Sequence, residues 1–286
     1  MTEVLEALAQ LSVLVFVIGS MMSMGLSLTM TQIVEPLKNA RLVILALVAN
    51  FVLVPILAYL ITLILPLDDS LRIGLILLST AGGAPFLPKL AQAAKGSTAF
   101  SVGLMVLLML VTIIYLPIVL PLLLGGVEVS PWDIARSLIV MMLIPLAVGL
   151  FINARYEETA AKIQPTFGQA SNLAILVLTV LGLVLNFESM IGLVGSWGIL
   201  AGILFIVAAV VIGYLLGGSD SGIQSVMGLG TGQRNISAAL VVAGQNFDMD
   251  VVTYLMVIAV VGLVVLMPLA GELGKRAAAR APQAAD

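Results

Sequence analysis

Residues 228–235 read Gly-Leu-Gly-Thr-Gly-Gln-Arg-Asn, and they lie in the middle of an apolar segment that extends over about 219–245. A second apolar segment, at about 71–94, carries Ala-Gly-Gly-Ala-Pro at 81–85 and a further proline at Pro88. Glycine and proline at such positions interrupt the backbone hydrogen bonds of a helix, and lipid offers no replacement partners. The two stretches therefore predict two discontinuous membrane helices whose interruptions are buried in protein.

The rest of the chain is equally apolar. Hydrophobic residues make up 61% of the 286 residues, charged residues make up 9%, and the mean hydropathy is +1.22. Because one bilayer-spanning helix needs about 20 largely apolar residues, the chain has room for about nine or ten spans. It is predicted to be an all-α integral membrane protein that forms a single transmembrane unit over 1–286. The nine candidate spans are at about 8–31, 42–65, 71–94, 97–124, 131–154, 166–187, 193–217, 219–245 and 249–272.

Composition also excludes several classes of site. The chain has no cysteine and no histidine, which excludes disulfides, thiolate metal sites and cysteine nucleophiles. A net charge of −3 without a basic block argues against nucleic acid as a partner. No Lys or Arg precedes Lys38, so the first apolar stretch is predicted to be a retained span, because a signal peptide has a basic start. Turn-type residues, among them Pro165, are predicted to separate the spans.

The positions of Lys and Arg predict the orientation of the chain. A cytoplasmic C-terminus places eight basic residues inside and leaves only Arg72 and Arg136 outside. The predicted topology is therefore N-out and C-in, with 273–286 as a cytoplasmic tail, in a cell inner membrane. The eight inside residues are Lys38, Arg41, Lys95, Arg155, Lys162, Lys275, Arg276 and Arg280.

The two interrupted spans are related by their positions in the chain. They lie five spans apart, so they run in opposite directions across the membrane. Two discontinuous helices in opposite orientations are typical of inverted repeats that meet at a central transport site. The sequence therefore predicts a site where the two interruptions cross.

Two of the twelve basic residues, Arg234 and Lys89, are assigned to neither side of the membrane. A charge at mid-membrane depth costs about 2.5–3.5 kcal/mol, so Arg234 is expected to face protein or a wet cavity. All fifteen Asp and Glu residues fall in loops, tails or span ends, which makes a substrate anion the natural partner of Arg234. The N-termini of the half-helices would add positive potential. The alternative is a structural arginine bound to carbonyls of the other broken helix, and Lys89 alternatively extends towards the interface.

Polar side chains flank the two interruptions. Together with Arg234 and Lys89 they form the predicted substrate-binding site, although hydrogen bonding between helices is the alternative role for each of them. These residues are Asn50, Thr80, Thr231, Gln233, Asn235 and Ser237.

Four stretches together resemble the bile acid:sodium symporter family, in the right order and spacing. The resemblance implies a panel domain, formed by spans 8–31 and 131–187, and a core domain, formed by spans 42–124 and 193–272. It also implies alternating access for organic anions, and the absence of a segment matching the family's first helix fits nine spans. The stretches are Met24-Gly-Leu-Ser-Leu28, Gly82-Gly83 with Ala94-Lys-Gly96 and Ala99-Phe-Ser-Val102, Ile212-Gly-Tyr-Leu-Leu-Gly217, and Gly232-Gln-Arg-Asn235.

The sequence departs from the family at the positions that the resemblance implies for one sodium site. The Ser-Asn pair that follows the two glycines in the family is replaced by Phe86-Leu-Pro-Lys89. Ser101 matches a serine ligand of the same site, but the threonine one turn later is Met105. Ser101 is thus an isolated match, and we predict no metal site and no cofactor.

The second crossing helix departs further. The family's shared glutamate aligns with Gly230, its glutamine ligand aligns with Arg234, and a supporting glutamine aligns with Asn50. A carboxylate is lost and a fixed positive charge is gained where an ion would bind. We therefore expect Arg234 to do permanently what bound sodium does in the relatives.

The predicted function is secondary transport of a small organic anion by alternating access, with weak or no sodium coupling. A sodium-coupled symporter with a relocated ion site and an anion channel or facilitator are the alternatives, and proton coupling would have to use Lys89. An intramembrane enzyme is disfavoured because no histidine or carboxylate lies at depth. The predicted partners are the anion and the lipid bilayer.

Overall fold

The computed structural model describes residues 2–124, 130–185 and 195–280, and within these ranges the chain forms helices and no strand. The helices are α1 (Thr2–Ser27), α2 (Met30–Val34), α3 (Ala40–Val48), α4 (Val54–Ile64), α5 (Asp69–Thr80), α6 (Leu87–Ala93), α7 (Thr98–Leu123), α8 (Pro131–Leu138), α9 (Ile144–Arg155), α10 (Glu157–Leu185), α11 (Gly198–Leu216), α12 (Ser221–Gly232), α13 (Ile236–Asn246) and α14 (Met249–Arg280).

Six continuous helical segments in the described ranges are long and apolar enough to cross a bilayer, so the chain is a multi-pass membrane protein. Three of the predicted spans remain. Two of them correspond to the helix pairs α5–α6 and α12–α13, whose members are each too short to cross a bilayer alone, and the third corresponds to α10. The count of nine spans stays a prediction. The six segments are Gln10–Ser27, Ala40–Ile64, Thr98–Leu123, Pro131–Arg155, Gly198–Leu216 and Met249–Ala279.

Three helices extend beyond their predicted ends: α1, which begins at Thr2 and not at about residue 8, α10 and α14. The turn predicted at Pro165 is wrong, because Pro165 lies inside α10. Acidic residues in the first turn, where they favour a helix N-terminus, help α10 to begin earlier, at Glu157. At the other end, α14 continues to Arg280 through the predicted tail, whose remaining residues 281–286 lie outside the described ranges. An Arg276–Glu272 pair at 3.0 Å and the following alanines favour the helical conformation there.

A π-turn at Ala49–Leu53 joins α3 to α4 and determines where Asn50 points. Pro55 has no backbone N–H, so the carbonyl of Phe51 lacks its usual partner four residues ahead. The hydroxyl of Tyr115, on α7, donates to that carbonyl instead at 2.5 Å. A proline thus widens one helical turn, and a tyrosine on a neighbouring helix satisfies the freed carbonyl.

The helices α1, α9 and α10 pack closely on one another. Gly25 of α1 and Gly149 of α9 lie in direct backbone contact, where a side chain on either residue would overlap the other helix. Between α1 and α10, the Gln164 amide donates to the Ser23 hydroxyl at 2.9 Å, and the Ser171 hydroxyl donates to the Phe16 carbonyl at 2.9 Å. Small residues and interhelical hydrogen bonds are the contacts expected of helices in a bilayer.

Close approach also positions the two interrupted helix pairs. Gly213 of α11 lies against Met227 and Thr231 of α12, where a Cβ atom would overlap both residues. Gly83, in the first interruption, has φ +79° and lies against the backbone of α7 at Met109. Glycine is required at Gly83 for two reasons: its positive φ and the absence of space for a Cβ atom.

We expect Gly83→Ala to destabilise the protein by at least about 1–3 kcal/mol, because the new methyl group overlaps the α7 backbone and alanine disfavours positive φ. The thermal unfolding midpoint of the purified protein in detergent measures this loss. Gly271→Ala is the matched control, because Gly271 lies within α14, where an added Cβ atom would meet no atom within 4 Å and the φ is an ordinary helical one. An equal midpoint in both variants would contradict the account of Gly83.

Candidate functional site

The two interrupted helix pairs meet at their interruptions. One is the segment between α5 and α6, and the other is the segment between α12 and α13. The backbone N–H of Asn235 donates to the Ala81 carbonyl at 2.9 Å, and its side-chain amide donates to the Gly83 carbonyl at 3.0 Å. The Asn235 side-chain oxygen accepts from the N–H of Ala238 at 3.1 Å, which caps α13. Asn235 therefore ties the second interruption to the first.

Arg234 lies beside Asn235 with only 3% of its surface exposed, and four N–H groups of its guanidinium donate hydrogen bonds. Nε donates to the Leu78 carbonyl at 3.2 Å, and Nη2 donates to the Ser79 carbonyl at 2.7 Å. Nη1 donates to the side-chain oxygen of Asn50 at 2.6 Å and to the Thr231 carbonyl at 3.2 Å. One side chain thus connects α5, α12 and the π-turn before α4.

Asn50 completes this arrangement from the π-turn. It is fully buried, and its amide donates to the Ala46 carbonyl at 3.0 Å and to the Thr231 hydroxyl at 3.3 Å. The Asn50 side chain therefore accepts a hydrogen bond from Arg234 and donates one to Thr231 of α12, the helix that precedes Arg234. The prediction placed Asn50, Thr231 and Arg234 in one site, and the structure brings these three residues together by direct hydrogen bonds.

Arg234 was expected to have no carboxylate partner in the protein and to bind a substrate anion, but in the structure its guanidinium binds backbone carbonyls. Its carbonyl acceptors lie in the last turns of α5 and α12, at the negative ends of these helices, where a cation is favourable. The contacts that the alternative role predicted, between the arginine and carbonyls of the other broken helix, are therefore present, and they leave a role in binding an anion open to test. Four of the five guanidinium N–H groups thus have acceptors, but none of these acceptors is a carboxylate, so no hydrogen-bond partner in the described ranges compensates the positive charge.

Thr112 was missed in the sequence, although it holds the first interruption in place. Its hydroxyl accepts from the N–H of Gly82 at 2.8 Å and donates to the Gly82 carbonyl at 3.1 Å. Both backbone groups of an unwound residue are thereby satisfied by one side chain of α7. The available signal was the spacing of Thr112 and Tyr115, which places two polar groups on the same face of an otherwise apolar helix.

The remaining polar residues at the interruptions are buried in different ways. The Thr80 hydroxyl donates to the Leu77 carbonyl of its own helix at 2.8 Å, and Ser237 lies in the first turn of α13 with 2% exposure. The side-chain oxygen of Gln233 is buried and has no hydrogen-bond partner in the described part of the chain. Beside it and Arg234 is a cavity of about 10 Å³. A cavity of this size holds about one water molecule, so the crossing is closed to an organic anion here.

Lys89 does not join this group. Its side chain is exposed on α6, and its ammonium lies 5.6 Å from the centroid of the Phe86 ring. A flexible lysine near the end of a short helix can extend to the surface of the bundle, whereas Arg234 cannot. The structure therefore does not bring Lys89 to the other predicted site residues.

The positions that the resemblance predicted to match the family's other sodium ligands are apolar or engaged in their own helix. A Cβ atom on Gly230 would meet the side chains of Leu87 and Leu104, which are both buried. The Ser101 hydroxyl donates to the Thr98 carbonyl one turn earlier at 2.6 Å, and Met105 is 2% exposed. No group of three or more His, Cys, Asp or Glu side chains comes together anywhere in the described ranges.

Comparison with protein families confirms the resemblance inferred from the motifs. The model of the Sodium Bile acid symporter family matches residues 13–193, which is more than half of the chain. The match includes α5, α6 and the π-turn that carries Asn50, and it ends before α12 and α13.

Individual relatives are distant. A probable sodium/metabolite cotransporter, BASS3, from Oryza sativa subsp. japonica is 23% identical over 197 residues, which cover 68% of this chain and 47% of that protein. The uncharacterized sodium-dependent transporter YocS of Bacillus subtilis is 27% identical over 147 residues, which cover 50% of this chain and 44% of that protein. The chain thus spans less than half the length of these relatives. Both are named as transporters and not as enzymes.

We expect Asn50→Ala to destabilise the protein by about 1–3 kcal/mol, because it leaves a buried guanidinium N–H without an acceptor. Thermal unfolding in detergent measures the change. Asn246→Ala is the matched control: the Asn246 amide also donates to the carbonyl four residues earlier, at 2.9 Å, but it binds no charged group. Equal losses in the two variants would show that the bond to Arg234 contributes nothing.

Proposed function

Because the chain belongs to the sodium bile acid symporter family, we propose that it is a secondary transporter that moves a small organic anion across the membrane by alternating access, with weak or no sodium coupling. The observation that carries this proposal is the buried guanidinium of Arg234 at the crossing of two interrupted helix pairs, without a carboxylate partner among the described residues. A buried charge without a countercharge favours an anion nearby, even when most of its N–H groups have neutral acceptors.

Arg234 takes the place of a sodium ion in this proposal. Its Nη1 atom lies between the side-chain oxygen of Asn50 and the carbonyl of Thr231, and oxygen atoms of this kind coordinate sodium at unwound helices in transporters. Because the guanidinium is covalently attached, the positive charge does not dissociate between transport cycles. The crossing is then held together without an ion gradient.

The apolar surroundings of Gly230 argue against a second ion near the crossing. A sodium ion has to replace its hydration shell with oxygen atoms of the protein. Leu87 and Leu104 occupy the space in front of Gly230, and the Ser101 hydroxyl is already donated within its own helix. Placing an unhydrated cation among these side chains would be strongly unfavourable.

The substrate anion binds beside the crossing in a conformation that is more open than this one. The candidate binding residues are those that the crossing already gathers or that border it. Gln233 is the first of them, since its side-chain oxygen is buried without a partner in the described part of the chain. Lys89 is excluded from the proposed set by its exposed position. The proposed residues are Asn50, Thr80, Thr231, Gln233, Arg234, Asn235 and Ser237.

Alternating access requires two bodies that move against each other. We assign to the panel the helices α1, α9 and α10, which pack on one another, together with α8, which leads into α9 through a π-turn, and we assign the helices that surround the crossing to the core. Movement of the core against the panel would expose the crossing to one side of the membrane and then to the other. We place the protein in a cell inner membrane, N-out and C-in.

Sodium-coupled symport is the second candidate function. It is favoured by the names of the relatives, which describe sodium-dependent or sodium/metabolite transporters. It would require an ion site away from Gly230 and Ser101. Replacement of sodium in an uptake experiment separates the two proposals directly.

We expect uptake of radiolabelled organic anions into proteoliposomes to persist when potassium or choline replaces sodium. The probes are a carboxylate, a sulfonate, a keto acid and a bile acid. Loss of uptake with sodium removal would contradict the proposal and favour the symporter.

Neutralising the buried charge is expected to lower uptake by at least about tenfold, because a charge-assisted interaction of roughly 1.5 kcal/mol or more is lost. Arg234→Gln removes the charge and Arg234→Lys retains it, so Arg234→Lys should transport better at matched protein amounts. Asn50→Asp is a second test, because it keeps Arg234 in place and supplies a carboxylate beside it. Undiminished uptake by Asn50→Asp and Arg234→Gln would show that the charge has no role in binding the anion.

A further inference from the structure

A large cavity of the described structure is separate from the crossing. It is a groove of about 760 Å³ between α4, α5 and α7, lined among others by Phe51, Ile56, Arg72, Tyr115 and Leu122. The helix α5 packs against both α4 and α7 and forms the back of the groove. Because α4 and α7 belong to segments that are apolar enough to cross a bilayer, the groove opens into lipid and not into water.

The rims of the groove are apolar and exposed. Ile56, Leu63 and Leu122 are 51%, 65% and 76% exposed, so hydrocarbon is the surrounding that these side chains require. From Phe51 to Leu63 the groove follows α4 for about 18 Å at the rise of an α-helix. One leaflet of hydrocarbon is about 15 Å thick, half of the full core. The groove therefore matches a single acyl chain in length.

The end of the groove at the membrane surface carries a pair of opposite charges. Arg72 lies in the first turn of α5 and lines the groove, and its Nη2 atom is 3.1 Å from the carboxylate of Asp69. The Arg72 and Asp69 side chains are substantially exposed, at 47% and 84%. Breaking their ion pair so that each binds a ligand group therefore costs little free energy. Asp68 adds a further carboxylate beside them. The surface end of the groove thus presents a positive guanidinium with a negative carboxylate directly beside it.

We propose that this groove binds a phosphatidylethanolamine molecule, with one acyl chain along α4 and the headgroup at the membrane surface. The phosphate binds the Arg72 guanidinium, which offers a planar fork of donors to phosphate oxygens. The ammonium group binds the carboxylate of Asp69. A purely anionic headgroup fits less well, because the two carboxylates outnumber the single arginine.

The deep end of the groove reaches the elements that hold the crossing. Phe51 and Tyr115 line it there, with ring centroids 4.8 Å apart, and the Tyr115 hydroxyl binds the Phe51 carbonyl. Phe51 follows Asn50 in the same π-turn, and Asn50 accepts from Arg234. An acyl chain in the groove therefore supports the residues that present Asn50 to the arginine.

The test uses the full-length protein, purified in detergent and stripped of lipid. Phosphatidylethanolamine or phosphatidylglycerol is added, and retained lipid is counted by native mass spectrometry while thermal unfolding is followed in parallel. We expect phosphatidylethanolamine to be retained more strongly and to raise the unfolding midpoint more than phosphatidylglycerol. Equal or stronger retention of phosphatidylglycerol would overturn the headgroup assignment.

Variants locate the site. Arg72→Gln is expected to lower retained phosphatidylethanolamine about threefold, as the loss of a partly exposed ion pair would. Ile56→Trp fills the groove and should lower retention as well. Arg136→Gln and Ile44→Trp are the matched controls, because neither residue lines the groove and Ile44 is also exposed to lipid. Retention that is unchanged in Arg72→Gln and Ile56→Trp would overturn the proposal.

Discussion

The guanidinium of Arg234 joins three elements of the fold by direct hydrogen bonds. It binds carbonyls at the C-terminal end of α5, a carbonyl at the C-terminal end of α12 and the side-chain oxygen of Asn50. Unwound backbone at membrane depth is tolerated only where protein satisfies its polar groups. Arg234, Asn235 and Thr112 meet this requirement for the two interruptions, and the rest of the fold brings them into reach.

In this arrangement the hydrogen bonds of Arg234 are formed with neutral groups, so its positive charge is not neutralised by them. Every acceptor of the arginine is neutral, so the crossing gains directional bonds to the carbonyls without gaining a negative charge. A dissociable sodium ion in this place would tie stability of the crossing to an ion gradient. A covalently attached cation removes that dependence and leaves a permanent positive potential for an anion. In the proposed function, the loss of the carboxylate that the resemblance implies at Gly230 and the gain of the cation at Arg234 are therefore two parts of one exchange.

The sequence predicted the local features of the site better than the contacts across it. Glycine and proline have local effects on the backbone, so both interruptions could be placed, and the close approach of Gly83 to α7 agrees with them. The acceptors of Arg234 could not be predicted, because they are mostly main-chain carbonyls that any residue supplies. The position of the Lys89 side chain could not be predicted, because its depth in the predicted span is compatible both with the crossing and with the surface of the helix bundle. Pro165 failed as a boundary because the residues before it favour a helix independently.

Direct binding of radioactive sodium to the purified wild-type protein tests the central claim most directly, because it requires no knowledge of the substrate. If Arg234 occupies the place of the ion, the account predicts no saturable sodium binding, in the absence or presence of added organic anions. Saturable binding of sodium that competing potassium does not displace would contradict it, and the crossing would then contain an ion site in addition to its arginine.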